Sequence, residues 1–145
     1  METDGELREY MMKEIDTIQN IIKRMAQNSF MIKGWTITLV VASLLLKGSR
    51  YQGAVAAIPL LMFWVLDAYF LWQERMYRKL FEWVVNNRLR TRDYLFDMNT
   101  CRFKKNVQPI YRIMFSTTLG LFYGSIAVLT VTYVLVMLRL TRGWC

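Results

Sequence analysis

The sequence predicts an all-α, polytopic membrane protein with three transmembrane helices. These are a helical hairpin over residues 32–73 and a third span over 113–138. A cytoplasmic amphipathic helix precedes the hairpin, and the second span extends into the cytoplasm. Three observations carry this reading. The run Ile113–Leu138 holds 26 residues without a charge, more than a soluble domain of 145 residues normally accommodates in one piece. The run Ala54–Trp72 holds 19 residues with one charge, Asp67. The third observation is charge segregation. The chain carries 19 Lys and Arg against 11 Asp and Glu, a formal net charge of +8, and fifteen of the 19 basic residues lie before Trp35 or between Trp72 and Ile113. With three spans those two segments share a side, and an excess of Lys and Arg marks the cytoplasmic side. An apolar content of 54% excludes a disordered chain, and the length fits a single membrane domain over 1–145.

In chain order, residues 5–30 form the N-terminal helix. Leu7, Met11, Ile15, Ile18, Ile22 and Met25 recur at spacings of three and four, and neither Gly nor Pro falls between residues 6 and 33. The stripe suits packing on other cytoplasmic helices of the same chain. A self-association seam or a helix lying on the bilayer are the alternatives. The first span occupies 32–48. Its uncharged core, Trp35–Leu46, is short for a bilayer, and Lys33 extends it by snorkelling toward the headgroups. About thirty charged and mixed residues precede it, unlike a cleaved signal peptide. The linker Lys47–Gly53, with two glycines, forces antiparallel neighbours. The second span, 53–73, continues without a breaker to Asn86-Asn87, so one helix over 54–86 is expected, with Glu74 and Arg78 forming a stabilising pair four residues apart. Residues 74–112 thus comprise a helix and then a basic loop. The last span, 113–138, is read as one helix. A kinked re-entrant pair hinging at Gly120 and Gly124 is the alternative.

The chain has no histidine, which excludes Ser-His and Cys-His nucleophile pairs and His-ligated metals. Cys101 and Cys145 fall on opposite sides of the predicted topology, so they form neither a disulfide nor a zinc site. No catalytic residue, metal or cofactor is assigned. Asp67, the one acid inside an apolar run, sits about 10 Å below the cytoplasmic edge, where a charge must be paired or hydrated. With Glu74 it either lines a cation path in an oligomer, alongside the hydroxyls of Ser116 and Thr117, or forms an internal ion pair with Lys33 or Arg112. Gly120 and Gly124 make a small-x-x-x-small pair suited to close helix packing. Arg88, Arg90, Arg92, Lys104 and Lys105 alternate with aromatics in the 88–112 segment and suit anionic headgroups or a partner protein. Nucleic acid is the less favoured partner, since no glycine-rich phosphate cradle accompanies them.

The strings NSFMIKGWTITLV (Asn28–Val40), FWVLDAYFLWQERMYRKLF (Phe63–Phe81) and FSTTLGLFYG (Phe115–Gly124) together resemble a widespread family of small bacterial membrane proteins. The organisation is similar to SLATT-type transmembrane effectors of antiphage systems. That pattern has two spans and a cytoplasmic helix, whereas here a third span follows. The resemblance implies a non-enzymatic homo-oligomer of the bacterial inner membrane. It would breach that membrane when a cytosolic sensor or defence protein signals infection. The alternative is a non-conducting anchor that recruits a cytosolic partner through residues 75–112.

Overall fold

A computed structural model of the chain describes residues 2–45 and 52–142. Most of the predicted linker, residues 47–51, and the ends of the first span and of the chain, including Trp144 and Cys145, lie outside the described residues. The fold is all-helical, with no strand among the described residues. Its elements are α1 (Glu2–Leu45), α2 (Gln52–Asn87), a 3₁₀ helix (Thr100–Asn106), α3 (Ile110–Met114) and α4 (Thr117–Arg142). Segments of α1, α2 and α4 are long and apolar enough to cross a membrane.

Two boundaries differ from the sequence reading. The N-terminal helix and the first span are one helix, α1. Lys33-Gly34 does not interrupt it, because a lone glycine costs a helix only about 1 kcal/mol. Buried residues recur at helical spacing on both sides of that point, at Glu14 and Ile18 before it and at Ser29, Ile32, Thr36 and Val40 around and after it. The third apolar run is divided instead near its start. α3 ends at Met114 and α4 begins at Thr117, so neither a single helix over 113–138 nor a hinge at Gly120 and Gly124 is found. Ser116 closes the break: its carbonyl accepts the first bond of α4, from the Gly120 amide at 2.7 Å. α2 matches the expected long helix and keeps Pro59 inside it.

The chain packs as two compact units, one of Met1–Asn28 with Phe70–Pro109, the other of Ser29–Tyr69 with Ile110–Cys145. In the first, Ile18 of α1 meets Leu80 and Val84 of α2, and Met11, Ile15, Ile22, Phe81 and Trp83 pack around them. The stripe read from the sequence is therefore occupied within its own chain. In the second unit α1, α2 and α4 bury one narrow side each: Ile32 and Val40, then Ala56, Leu60 and Ala68, then Leu119 and Tyr123. Gly53 lets α4 approach, since a Cβ there would stand 3.1 Å from Val134 Cγ2. The remaining sides are apolar and exposed, as at Leu61, Met62, Leu121, Val128 and Leu129. Only 11% of the most apolar window of α4 is buried. Faces that apolar suit hydrocarbon as their solvent.

Candidate functional site

The apolar second unit holds a buried ionic cluster. Asp67 of α2 is fully buried. Its Oδ2 receives the Lys33 ammonium of α1 at 2.6 Å and the Tyr123 hydroxyl of α4 at 3.1 Å. Its Oδ1 accepts from the Ser29 hydroxyl, whose oxygen in turn accepts from Lys33 Nζ at 2.8 Å. Ser29 and Lys33 stand one helical turn apart, so both side chains reach the same point on α2. Lys33 Nζ also lies 5.9 Å from the centre of the Phe122 ring. A carboxylate in this setting persists only with partners that satisfy its lone pairs, and three of the four bonds in this cluster end on Asp67 and supply them. The sequence offered Lys33 and Arg112 as partners for Asp67. The structure selects Lys33, which points inward rather than snorkelling, while Arg112 is exposed.

An aromatic wall joins this cluster to the break before α4. Trp64 stacks on Tyr123 at 6.0 Å between ring centres and packs edge-on to Phe115 at 5.4 Å. Its indole N–H donates to the Met114 carbonyl at 3.0 Å, one of the acceptors left open where α3 ends. Ser116 and Thr117 stand at this break and make none of the four cluster bonds. Ser116 is half-buried and Thr117 exposed. Gly120 and Gly124 face open space, with no atom within 4 Å of where a Cβ would lie. Among the described residues they make no close packing inside the chain.

The first unit has its own buried pair. Arg88 and Glu14 are both almost fully buried, and Arg88 Nη2 donates to Glu14 Oε1 at 2.8 Å while Nε reaches Oε2. The same guanidinium donates to the carbonyls of Asp93 at 2.8 Å and Tyr94 at 3.1 Å, and Glu14 accepts from the Phe96 amide at 2.7 Å. This knot fixes a loop in which Tyr94 and Phe96 both adopt φ of 56°, a conformation that costs a non-glycine residue about 1 kcal/mol or more. The expectation that Arg88 offers its charge to lipid or a partner is corrected: it is fully buried and bonded on every side. Arg90, Arg92, Lys104 and Lys105 are exposed, and Arg92 pairs with Glu6 at 3.0 Å. Arg102 is held by stacking, 4.4 Å from the Tyr94 ring centre and 4.6 Å from that of Trp83. Glu74 is buried and paired with Arg78 at 2.7 Å, as its spacing predicts.

Sequence reasoning missed Glu14, Ser29, Thr36 and Tyr123. The first three were findable, because 7, 11, 14, 18, 22, 25, 29, 32 and 36 form one helical stripe, and a polar residue on an apolar stripe needs a partner. Tyr123 carried no such mark. Among the described residues, no three acid or thiol side chains converge on a point where a metal could bind. What the second unit can do chemically is hold one positive and one negative charge in contact at the meeting of three helices. In comparisons with known proteins, the chain matches no protein family, no curated protein and no solved structure.

Proposed function

We propose that this chain is a multi-pass protein of the bacterial inner membrane, with a cytoplasmic N-terminus. It acts there as a non-enzymatic, oligomeric effector that gates a path through the bilayer. Its setting, by resemblance to SLATT-type effectors, is antiphage defence by membrane depolarisation. The observation that supports this reading is the Lys33–Asp67 pair inside the apolar unit. An anchor needs only apolar helices. A buried ion pair adds little net stability over apolar packing of the same volume, so its value lies in specificity or switching. With Lys33 seated the charges cancel and the unit is closed. When the helices part, Asp67 and Lys33 face whatever enters. Asp67 thus serves as a gate more than as a permanent wall, and the Phe115–Ser116 break lets α4 move relative to α3. Copies associate through their exposed apolar faces, with Gly120 and Gly124 open for a neighbouring helix.

The test is membrane potential in cells expressing the protein, read with a voltage-sensitive dye. Wild type is expected to depolarise only in its activating context, and Lys33→Met to depolarise without it. A flat potential for wild type, Lys33→Met and Asp67→Asn in every context, with all three present in the membrane, would refute the effector reading.

One observation favours the second reading, an anchor for a cytosolic partner. The first unit is a folded body with exposed Arg90, Lys104 and Lys105. A stoichiometric soluble protein that co-purifies with wild type, and is lost when those three are changed to Glu, would support it. Arg88 is unsuitable for that test because its replacement would break the fold.

A further inference from the structure

Lys33 Nζ occupies a place built for a small cation. Around it stand Asp67 Oδ2 at 2.6 Å, the Ser29 hydroxyl oxygen at 2.8 Å and the Phe122 ring face at 5.9 Å. Ser29 and Tyr123 are themselves anchored to Asp67, and all three are at least 95% buried. An ammonium brings three N–H donors, and two oxygens and a ring face receive them. The wall is formed by short side chains and one tyrosine on three helices. The Lys33 side chain keeps 21% of its surface exposed and sits on a four-carbon stem long enough to carry its charge to a polar boundary. If it leaves, it uncovers a carboxylate with two hydroxyls already oriented on it.

We propose that Ser29, Asp67 and Tyr123 form a monovalent-cation site, of the class that takes an alkali-metal ion or a primary alkylammonium, and that Lys33 is its tethered resident. Resting on the effector reading, the path is then selective for monovalent cations, and Lys33 blocks it as a plug carried by the chain itself. A carboxylate with hydroxyl oxygens favours cations over anions, and one negative charge suits a single positive one.

Two measurements test this. The first needs no conduction. Full-length Lys33→Ala protein in detergent is titrated with methylammonium chloride, with tetramethylammonium chloride as the ionic-strength control, and its melting temperature is followed. Methylammonium at ten times its dissociation constant is expected to raise the Tm of Lys33→Ala by about 3 °C. It should leave wild type and Lys33→Ala/Asp67→Asn unmoved. Equal response to both salts overturns the site. So does a Lys33→Ala protein that stays unfolded with methylammonium present while Lys33→Ala/Asp67→Asn folds, because an available site would have been refilled. The second measurement is flux of K⁺ and Cl⁻ from liposomes containing the protein. Lys33→Ala is expected to raise K⁺ efflux at least about tenfold over wild type, with methylammonium reversing the gain. Efflux that treats K⁺ and Cl⁻ alike overturns the plug while leaving the effector reading standing. A binding response without efflux from any variant keeps the cation site and refutes the effector reading.

Discussion

Two buried ion pairs dominate the expected response to single substitutions. Arg88→Met leaves the Glu14 carboxylate buried without its cation and removes the clamp on the Tyr94–Phe96 loop. Loss of one partner of such a pair costs about 3–5 kcal/mol, so a large fall in denaturation midpoint is expected. Arg92→Ala, which breaks an exposed pair with Glu6, is expected to cost about 0.5 kcal/mol or less in the same assay. Similar losses for the two would contradict the placement of Arg88. In the second unit, Asp67→Asn and Lys33→Met each strand a partner, whereas the double variant strands none. A double-mutant cycle on purified protein is expected to return a coupling of about 1–3 kcal/mol. Additive effects would mean that the two side chains do not meet. Asp67 announces itself in the sequence because it is a lone acid in an apolar run. Its partner could be narrowed to two cations but not chosen, since the choice depends on how α1 is rotated against α2. Arg88 gave no such sign. It sits among other arginines, and only the fold separates the one that turns inward from those that face out.

At the scale of elements, the long helices were legible because periodicity survives in them, and the breaks were not. Nothing in Phe115-Ser116 marks a helix end as proline would. The break is stabilised from outside, by the Trp64 indole bonded to the Met114 carbonyl. Trp64→Phe keeps most of the ring packing and removes that bond. It is expected to cost about 1 kcal/mol in thermal or denaturant unfolding, and no loss would place the indole elsewhere. The glycines separate into two kinds. Gly53→Leu drives a side chain into Val134 and is expected to destabilise by about 1–3 kcal/mol. Gly120→Leu and Gly124→Leu meet open space within the chain and are expected to leave the melting temperature of the protein dispersed as a monomer unchanged. In the membrane they are expected to reduce cross-linked oligomer. Unchanged cross-linking would remove these glycines from any contact between copies.

Over the whole molecule, the membrane reading rests on outward faces of α1, α2 and α4 that no polar solvent would tolerate, together with a basic excess outside the apolar runs. The proposed orientation has a direct check. Cys145→Ser leaves Cys101, which is exposed, and a membrane-impermeant maleimide is expected to label it only after the cells are permeabilised. Cys101→Ser leaves Cys145, expected to react in intact cells. The opposite pattern inverts the topology. The long uncharged runs made the three apolar helices readable from sequence. The division of the packing into two units was not readable, because each unit joins segments far apart in the chain.

That division also sets an order of events during synthesis. Glu14 leaves the ribosome 74 residues before Arg88, with the whole of Ser29–Tyr69 made in between. The first helix must therefore wait with an unanswered acid while the apolar part of the second helix is made. Only the emergence of residues 88–96 lets the amino-terminal segment lock. A nascent chain stalled before that point carries an apolar stripe with one unanswered acid, and a released one does not, so completion of the first unit reports that the apolar part of the second helix has already been made.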